Sequence, residues 1–316
     1  MKILIAVPCF NEESDISSCI NNLKLAIKSF NKEFEYEIAI FDDGSYDQTN
    51  SIVSTFKNIT YIKTKQNYGL AKVFNNIIYY AKSLNFDHLL VFDADNQYPY
   101  KEIPMILNEA LENNADITLG IRNFQKSEVF SKFKSFLQIF GSFTISLLLG
   151  MKILDATTGF RVYSSKAIEN LYVTNSFSYT IETLFAAKSK NLKIHQYPLQ
   201  TFYKTRNSRL FKSNSEYLYK TFKILESSIL LYKRNILFRI YVISVIPGVI
   251  LVSRFIYNYF IFDGYDGNVQ SLQVGLSIVL LATIFYTMLL NISFMKKNMM
   301  EVLKTTFKAN YEIIKL

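Results

Sequence analysis

The sequence of 316 residues contains no tryptophan, two cysteines and two histidines. Cys9 and Cys19 form no CxxC pair and have no histidine nearby, so the sequence indicates neither a disulfide framework nor a zinc site. His88 and His195 likewise have no ligand partner close in sequence. Neither GxxxxGK(S/T) nor GxGxxG occurs, which argues against a P-loop nucleotidase and a dinucleotide-dependent oxidoreductase.

Glycine and proline are also scarce, at 10 and 5 residues, and no repeat of fixed period is visible. The hydrophobic residues make up 50% of the chain, which is enough to build a substantial core as one large domain or two unequal ones. The composition therefore argues against a disordered chain.

Acidic residues are outnumbered, with 26 Asp and Glu against 35 Lys and Arg, which gives a formal net charge of +9. Such a balance favours anionic partners, which include nucleic acid, nucleotide phosphates and anionic membrane surfaces. Many of the basic residues flank apolar C-terminal segments: Lys212, Lys220, Lys223, Lys233, Arg234, Arg239, Lys296, Lys297, Lys304 and Lys308. Their position indicates a membrane, and not nucleic acid, as the partner.

The first part of the chain alternates short apolar runs with helical patterns, which predicts an α/β fold with a mostly parallel sheet covered by helices. The predicted strands are 2–9, 36–41, 60–63, 88–92 and 116–119. The predicted helices are 14–30, capped by Ser14, 47–56, capped by Asp47, and 70–83. The run 2–9 lacks a small-residue cleavage site and therefore predicts a strand, not a signal peptide.

Three acidic clusters each follow a predicted strand directly: Asn11-Glu12-Glu13, Asp42-Asp43-Gly44-Ser45 and Asp93-Ala94-Asp95. Open α/β sheets bind ligands beyond the carboxyl ends of their strands, so we expect the clusters to converge on one edge. Taken singly, the first also fits a solvated helix start, and the second fits an acidic turn with a helix cap. The segment 93–97, DADNQ, offers closely spaced oxygen ligands that suit Mg²⁺ or Mn²⁺ bridging a diphosphate.

Six motifs together carry a resemblance to a known family: VPCFNEE, DDGSYDQT, NYGLAKVFNN, DADNQ, GIR at 120–122 and DATTGFR at 155–161. In this order they resemble the family 2 glycosyltransferases of the GT-A fold. Within that family the chain is similar to the polyprenyl-phosphate group, which includes dolichol-phosphate mannose synthases and bactoprenol glucosyltransferases with two C-terminal membrane helices. The resemblance implies a Rossmann-like catalytic domain.

The resemblance also implies a pocket for a nucleotide-diphosphate sugar. It assigns to this pocket Pro8, Phe10, Asn11, Glu12, Asp43, Lys72 and Asp93. Lys72 would approach the donor diphosphate, and Asp93 would contact the ribose or the water shell of a metal ion. Asp95 and Gln97 would ligate that metal, Mg²⁺ or Mn²⁺.

For the acceptor, the resemblance marks Asp155 as a candidate catalytic base and Arg122 and Arg206 as phosphate-binding residues. It assigns to the acceptor site Thr157, Thr158, Gly159, Phe160, Arg161, Ser208 and Arg209. A phosphomonoester acceptor is largely dianionic at pH 7 and needs little deprotonation. The role of Asp155 therefore stays open, and it is a base, an orienting group or a structural carboxylate. The segment 206–210 also lacks a glycine-containing insertion that related sequences usually have, so the phosphate contacts of this loop stay open.

Three other features of the sequence each have two interpretations. Glu182 matches a family position, but it also fits a buried structural carboxylate paired with an arginine. The apolar segment 130–153 fits either a helix in the membrane interface that guides a lipid tail toward Asp155, or a core helix. The segment 210–235, with interleaved aromatic residues and lysines, has the same two interpretations.

Two C-terminal segments, 240–262 and 269–295, are apolar and long enough to cross the hydrocarbon layer, which needs about 20 helical residues. In the first, we expect Pro247 to kink the helix and Arg254 to reach outward toward Asp263 or the lipid headgroups. Basic residues flank the pair, whereas the connecting loop holds two aspartates and no basic residue. The positive-inside rule then puts the catalytic domain and the C-terminus in the cytoplasm. Two buried helices of a soluble protein are the alternative.

These inferences combine into a membrane-bound glycosyltransferase that moves a hexose from a UDP- or GDP-sugar to polyprenyl phosphate with inversion. The predicted organisation is a GT-A domain at 1–210, amphipathic juxtamembrane helices at 211–235, two transmembrane helices at 236–298 and a cytoplasmic tail at 299–316. A homo-oligomer, a flippase partner and a downstream glycosyltransferase partner stay open.

Two rival functions also stay open. One is transfer to a glycan or another lipid in cell-surface polysaccharide synthesis; the missing tryptophan excludes the QxxRW motif that processive polysaccharide synthases usually carry, which weakens this rival. The other is a non-catalytic membrane scaffold of the same fold, against which the intact DxD motif argues.

Overall fold

The computed structural model describes residues 1–30, 34–122, 132–200, 214–261, 269–306 and 312–315. The predicted phosphate-binding and acceptor residues Arg206, Ser208 and Arg209 lie outside these ranges. The chain divides into two compact units, Met1–Ile224 with Lys308–Leu316, and Leu225–Phe307.

The first unit is built on one sheet. Its strands are β1 (Lys2–Cys9), β2 (Glu35–Asp42), β3 (Thr60–Lys63), β4 (His88–Val91), β5 (Ile117–Ile121), β6 (Arg161–Ser164), β7 (Ile194–Pro198) and β8 (Glu312–Lys315). Its helices are α1 (Ile16–Lys28), α2 (Thr49–Val53), α3 (Leu70–Ser83), α4 (Ile103–Glu112), α5 (Lys132–Leu149), α6 (Ser165–Asn170), α7 (Thr180–Ser189) and the start of α8 (Asn214–Tyr232).

The strands lie in the order β7-β5-β6-β4-β1-β2-β3-β8. β1 pairs in parallel with β2 and β4, β2 with β3, and β5 with β7. β6 runs antiparallel to β4 and β5, and β8 runs antiparallel to β3. The α/β fold with a mostly parallel sheet is therefore confirmed, with antiparallel strands added within it and at its edge.

The apolar sequence of β1 follows from burial on both faces. Ile3, Ile5 and Val7 pack in one core cluster with residues of α1 and α4, while Leu4 and Ala6, which alternate with them and so face the other side, are equally buried. A central strand covered on both sides needs apolar residues at every position. The acidic clusters consequently begin where β1, β2 and β4 end.

The predicted helix 70–83 coincides with α3, whereas the start of the first helix differs from the prediction. Asp15, not Ser14, occupies the N-cap position of α1, and the Ser14 hydroxyl donates to the Asp15 carboxylate over 2.8 Å. Cys9 and Cys19 are buried free thiols, and burial raises the pKa of both.

The second unit contains the rest of α8, α9 (Arg234–Ile261) and α10 (Val269–Thr306). α9 and α10 are long and apolar enough to cross a membrane, and only 11% and 6% of their most apolar windows are buried, which disfavours two core helices of a soluble protein. They approach closely at two glycines: a Cβ on Gly248 would lie 2.7 Å from the carbonyl oxygen of Gly275. The two helices are therefore a hairpin candidate.

Candidate active site

A cleft of about 500 Å³ opens at the carboxyl ends of β1, β2 and β4. Its lining includes seven of the residues predicted for the donor and the metal: Pro8, Phe10, Glu12, Asp43, Asp93, Asp95 and Gln97. The structure thus brings the three acidic loops to one edge of the sheet, as the strand-end argument predicts.

Asn11 is not among the lining residues of the cleft, but it connects two of the loops that form it. Its backbone is left-handed, with φ at 55°, and its N–H donates to the Ser45 hydroxyl over 2.8 Å. Its side-chain oxygen accepts the N–H of Tyr46 over 3.1 Å. These two bonds fasten the first acidic loop to the second, which accounts for an asparagine at this position.

Asp43 shapes one wall of the cleft through two backbone hydrogen bonds. Its carboxylate accepts the N–H groups of Tyr68 and Gly69, each over 2.8 Å. Burial raises the pKa of this carboxyl, although the two N–H donors oppose the shift. Asp43 therefore fixes the segment before α3 while one side of its carboxyl group lines the cleft.

Lys72 lies in the first turn of α3 and is not among the lining residues, although Leu70 and Val73 are. Burial lowers the pKa of its ammonium group. Lys72 therefore lies on the same helix turn as two lining residues, and its approach to a donor diphosphate stays a prediction.

The segment 93–97, which we call the DADNQ turn, is anchored on α1. Asn96 has a left-handed backbone, with φ at 54°, and its amide donates to the Ser18 hydroxyl over 2.7 Å and accepts from Asn22 over 3.1 Å. The N–H of Gln97 donates to the Asp95 carboxylate over 3.1 Å. The anchoring of Asn96 leaves Asp95 and Gln97 turned toward the cleft.

The carboxylates of the DADNQ turn repel one another. Burial, and then the negative charge of Asp95, raise the pKa of Asp93 to about 7. Hard oxygen donors under mutual repulsion fit a divalent cation, which would remove that repulsion. The described residues hold no group of three or more His, Cys, Asp or Glu side chains around one point, so any cation here would need further ligands from a bound molecule or water.

A second group of predicted residues forms a separate cluster of Arg122, Asp155 and Thr157, which we call the Arg122 cluster. The fully buried Asp155 accepts the Nε–H of Arg122 over 2.7 Å with one oxygen and the Nη2–H over 2.9 Å with the other. Arg122 also donates to the Thr157 hydroxyl over 2.8 Å, which in turn donates to Gln138 of α5 over 2.8 Å. None of the three cluster members is among the lining residues of the cleft.

Thr158 and Arg161, predicted for the acceptor site, are buried in the loop that follows. Arg161 is fully buried and donates to the carbonyl oxygens of Ala156, Thr158 and Thr180 over 2.8 to 3.0 Å. The Thr158 hydroxyl lies 3.3 Å from that of Tyr98. Both residues consequently hold the loop in shape; neither side chain lines the cleft.

Gly159 is the point at which this loop meets the DADNQ turn. A Cβ built on it would lie 2.7 Å from Oδ2 of Asp93, which is closer than side-chain carbons approach other atoms. Only glycine lets the loop pass so close to the carboxylate.

Part of the cleft wall is formed by residues that the motifs do not reveal: Ser176, Phe177 and Lys220. Glu182 stabilises this wall, because its buried carboxylate accepts hydrogen bonds from Thr174 and Asn175 over 2.7 to 3.1 Å. The structural interpretation of Glu182 thus agrees with the structure, and among the residues that the structure describes its partners are Thr174 and Asn175.

A mostly parallel mixed sheet covered by helices, with an acidic cleft at its strand ends, is the arrangement of the GT-A fold of glycosyltransferases. The sequence model of Glycosyl transferase family 2 matches residues 4–172, more than half of the chain, and the chain belongs to this family. It is a glycosyltransferase, as the six motifs predict.

Relatives and solved structures agree with this assignment. The UDP-N-acetylglucosamine–dolichyl-phosphate N-acetylglucosaminyltransferase of Methanococcus voltae is 26% identical over 64% of this chain and 86% of its own length. The dolichol-phosphate mannosyltransferase of Pyrococcus furiosus is 25% identical over 72% of this chain and 64% of its own length. Glucosyl-3-phosphoglycerate synthase of Mycobacterium tuberculosis, in complex with Mn²⁺, uridine diphosphate and glucosyl-3-phosphoglycerate, shares the fold with a TM-score of 0.57 at 15% identity, over 72% of this chain and 78% of that one.

Proposed function

We propose that this protein transfers a hexose from a UDP- or GDP-sugar to a polyprenyl phosphate, with inversion, at the cytoplasmic face of a membrane. One observation carries the proposal: the acidic cleft of a glycosyltransferase sheet occurs in a chain that also has two helices able to span a bilayer. The relatives named as dolichyl-phosphate sugar transferases support a polyprenyl phosphate as the acceptor.

The donor would occupy the cleft. Its volume of about 500 Å³ is in the range of pockets that bind molecules of nucleotide size. Pro8 and Phe10 offer apolar surface for the base, and Glu12 and Asp43 offer carboxylates for hydroxyl or N–H groups of the nucleoside. Asp93 would contact the ribose or a water molecule of the metal shell.

Asp95 and Gln97 would hold a divalent cation, Mg²⁺ or Mn²⁺, together with the donor diphosphate. When bound, such a cation neutralises charge on the departing diphosphate as a Lewis acid. The Mn²⁺ in the complex of the mycobacterial synthase supports this choice of cation.

The reaction we propose is a single displacement. A phosphate oxygen of the acceptor forms a bond to the anomeric carbon while the bond from that carbon to the diphosphate oxygen breaks, and the nucleoside diphosphate leaves with the electron pair. A dianionic phosphate needs little help from a base. Since both oxygens of Asp155 accept hydrogen bonds from Arg122, we assign Asp155 the role of orienting Arg122 toward a phosphate group.

Two exposed apolar helix faces support contact with a lipid surface. α5 exposes large apolar side chains at helical spacing: Phe136, Ile139, Phe140, Phe143 and Leu147. The start of α8 exposes Leu218, Tyr219 and Phe222. We propose that both faces lie in the membrane interface, where α5 also meets the Arg122 cluster through Gln138.

The tail strand supports the proposed sidedness. β8 follows α10 in sequence and pairs with β3 of the catalytic sheet, from Lys63 opposite Glu312 to Thr60 opposite Lys315. The chain must therefore return to the side it left, which two membrane crossings achieve. The basic flanks support the cytoplasm as that side.

The test is incubation of membranes containing the full chain with radiolabelled UDP- and GDP-sugars, Mg²⁺ or Mn²⁺, and polyprenyl phosphate. We expect one sugar to label an extractable polyprenyl lipid, with an anomeric configuration opposite to that of the donor. Label in a glycan or in another lipid would favour the rival acceptor. Unchanged labelling with the Asp95→Ala variant would contradict a catalytic role for the cleft.

A further inference from the structure

The cleft has an unbalanced set of charges. Four carboxylate side chains line it, those of Glu12, Asp43, Asp93 and Asp95, and Lys220 is the one cationic side chain among the described lining residues. The proposed ligands carry phosphate groups, which such a lining repels unless positive charge is supplied. Lys220 therefore occupies a position where its charge matters to binding.

Lys220 reaches the cleft from α8, a helix that lies outside the six sequence motifs. Its Nζ lies 2.7 Å from the Glu216 carboxylate, one helical turn earlier, and 4.8 Å from the centre of the Phe177 ring. Its side chain keeps 35% of its surface exposed. A partly exposed lysine with a flexible stem can exchange a surface glutamate for a phosphate oxygen.

The aromatic ring beside this lysine belongs to Phe177, whose backbone is held by hydrogen bonds. The side-chain oxygen of Asn175 accepts the N–H groups of Phe177 and Ser178 over 2.8 and 2.9 Å. Asn175 is in turn held by the buried carboxylate of Glu182. The backbone that carries the ring is thus held in place, and the face of the ring attracts the ammonium group of Lys220.

We infer that Lys220 binds phosphate oxygens of a ligand in this cleft and is a binding residue for the transfer reaction. The inference rests on the proposed function, because it takes the ligand to carry phosphate. The phosphate belongs either to the donor diphosphate or to the acceptor monoester, and both offer the same anionic oxygens.

The test compares the full-length enzyme with Lys220→Ala, Lys220→Arg and Glu216→Gln, and with Lys223→Ala as the matched control on the same helix. Loss of a charged contact to phosphate should lower kcat/KM roughly 10- to 100-fold in Lys220→Ala. Lys220→Arg should retain most of the activity, and Lys223→Ala should match the wild type. Glu216→Gln should be as active as the wild type or more active, since it releases Lys220.

Two arms identify the source of the phosphate. Calorimetry measures the Kd of UDP and GDP with Mg²⁺, and steady-state assays measure the KM for polyprenyl phosphate. A higher nucleotide Kd in Lys220→Ala assigns the contact to the donor, whereas a higher acceptor KM with an unchanged nucleotide Kd assigns it to the acceptor.

Two results would overturn the inference. One is Lys220→Ala with wild-type Kd, KM and kcat. The other is Glu216→Gln as impaired as Lys220→Ala, since that pattern belongs to a residue that only fastens α8. Failure of the wild-type enzyme to glycosylate any lipid would instead overturn the proposed function, so the two failures are distinguishable.

Discussion

The DADNQ turn and the Arg122 cluster both place carboxylates near the strand ends, half-buried in the turn and fully buried in the cluster, but the two regions differ in how the charge is balanced. In the turn, Asp93 and Asp95 repel one another, and the pKa of Asp93 rises to about 7. In the cluster, each carboxylate oxygen of Asp155 accepts a hydrogen bond from the Arg122 guanidinium, and the backbone N–H groups of Arg122 and Thr157 donate further ones. Aspartate carboxylates therefore favour a bound cation in the turn, whereas in the cluster the carboxylate is already paired with an arginine.

This difference indicates which part of the reaction each of the two regions serves. A carboxylate under repulsion gains most from a ligand that brings positive charge, so the turn is the place for the metal and the diphosphate. A carboxylate fully engaged by an arginine gains little from a ligand and acts through that arginine. Four substitutions test the division, and they are ordered from the largest expected effect to the smallest.

Asp95→Asn should lower kcat/KM by about 10³-fold, or about 4 kcal/mol, because it weakens the cation site on which the leaving group depends. The measurement is glycolipid formation with Mg²⁺ or Mn²⁺. Asp87→Asn is the matched control, because Asp87 precedes β4 at the opposite edge of the sheet, where its carboxylate accepts the Lys2 N–H. A loss smaller than about tenfold would contradict a metal role for Asp95.

Asp155→Asn should lower the free energy of unfolding by about 3 kcal/mol, because it removes the carboxylate charge that pairs with the largely buried Arg122 guanidinium. Activity should fall by about 100-fold. If Asp155 acts through Arg122, the double variant with Arg122→Ala should be no less active than Arg122→Ala alone, which a double-mutant cycle measures. Additive losses in that cycle would instead support Asp155 as a separate base.

Asp93→Asn should stabilise the cation-free protein at pH 8 by roughly 1–2 kcal/mol. The sign follows from the raised pKa: the folded state binds this proton more tightly than the unfolded chain, so ionisation of Asp93 above pH 7 costs stability. The wild-type Tm in EDTA should fall as the pH rises from about 5 to 8, and the variant should lose part of that dependence. A lower Tm for the variant at pH 8 would contradict the predicted repulsion.

Gly159→Ala should have the smallest effect, about 1 kcal/mol or fivefold to tenfold in kcat/KM. The added Cβ would lie 2.7 Å from the Asp93 carboxylate and would displace it. A change in the loop after the Arg122 cluster would then alter the DADNQ turn. Gly141→Ala is the control, since a Cβ at Gly141 meets nothing within 4 Å. Equal activity of the two variants would show that the Asp93 position tolerates movement.

The sequence predicts the parts of this site that depend on local pattern. β1, β3 and α3 have the predicted bounds because their apolar residues repeat with the period of a strand or a helix. The acidic loops converge because parallel strands end at the same edge of a sheet. Family membership can be predicted because each of the six motifs is a short continuous stretch of sequence.

The remaining features depend on contacts between distant residues. β8 pairs with β3 across some 250 residues of sequence, and no short-range pattern specifies such a partner. The engagement of Asp155 by Arg122, and the approach of Lys220 to Phe177, likewise join segments that the sequence separates. A motif marks which residue matters, but its protonation, partners and exposure are set by packing.

Calorimetric titration of UDP and GDP into the purified full-length protein, with Mg²⁺ and then with EDTA, tests the central claim most directly. We expect one nucleotide to bind with Mg²⁺, binding to be lost in EDTA and in Asp95→Asn, and binding to persist in Asp155→Asn. Binding that is independent of the cation, or that is lost in Asp155→Asn and kept in Asp95→Asn, would contradict the division of roles between the DADNQ turn and the Arg122 cluster.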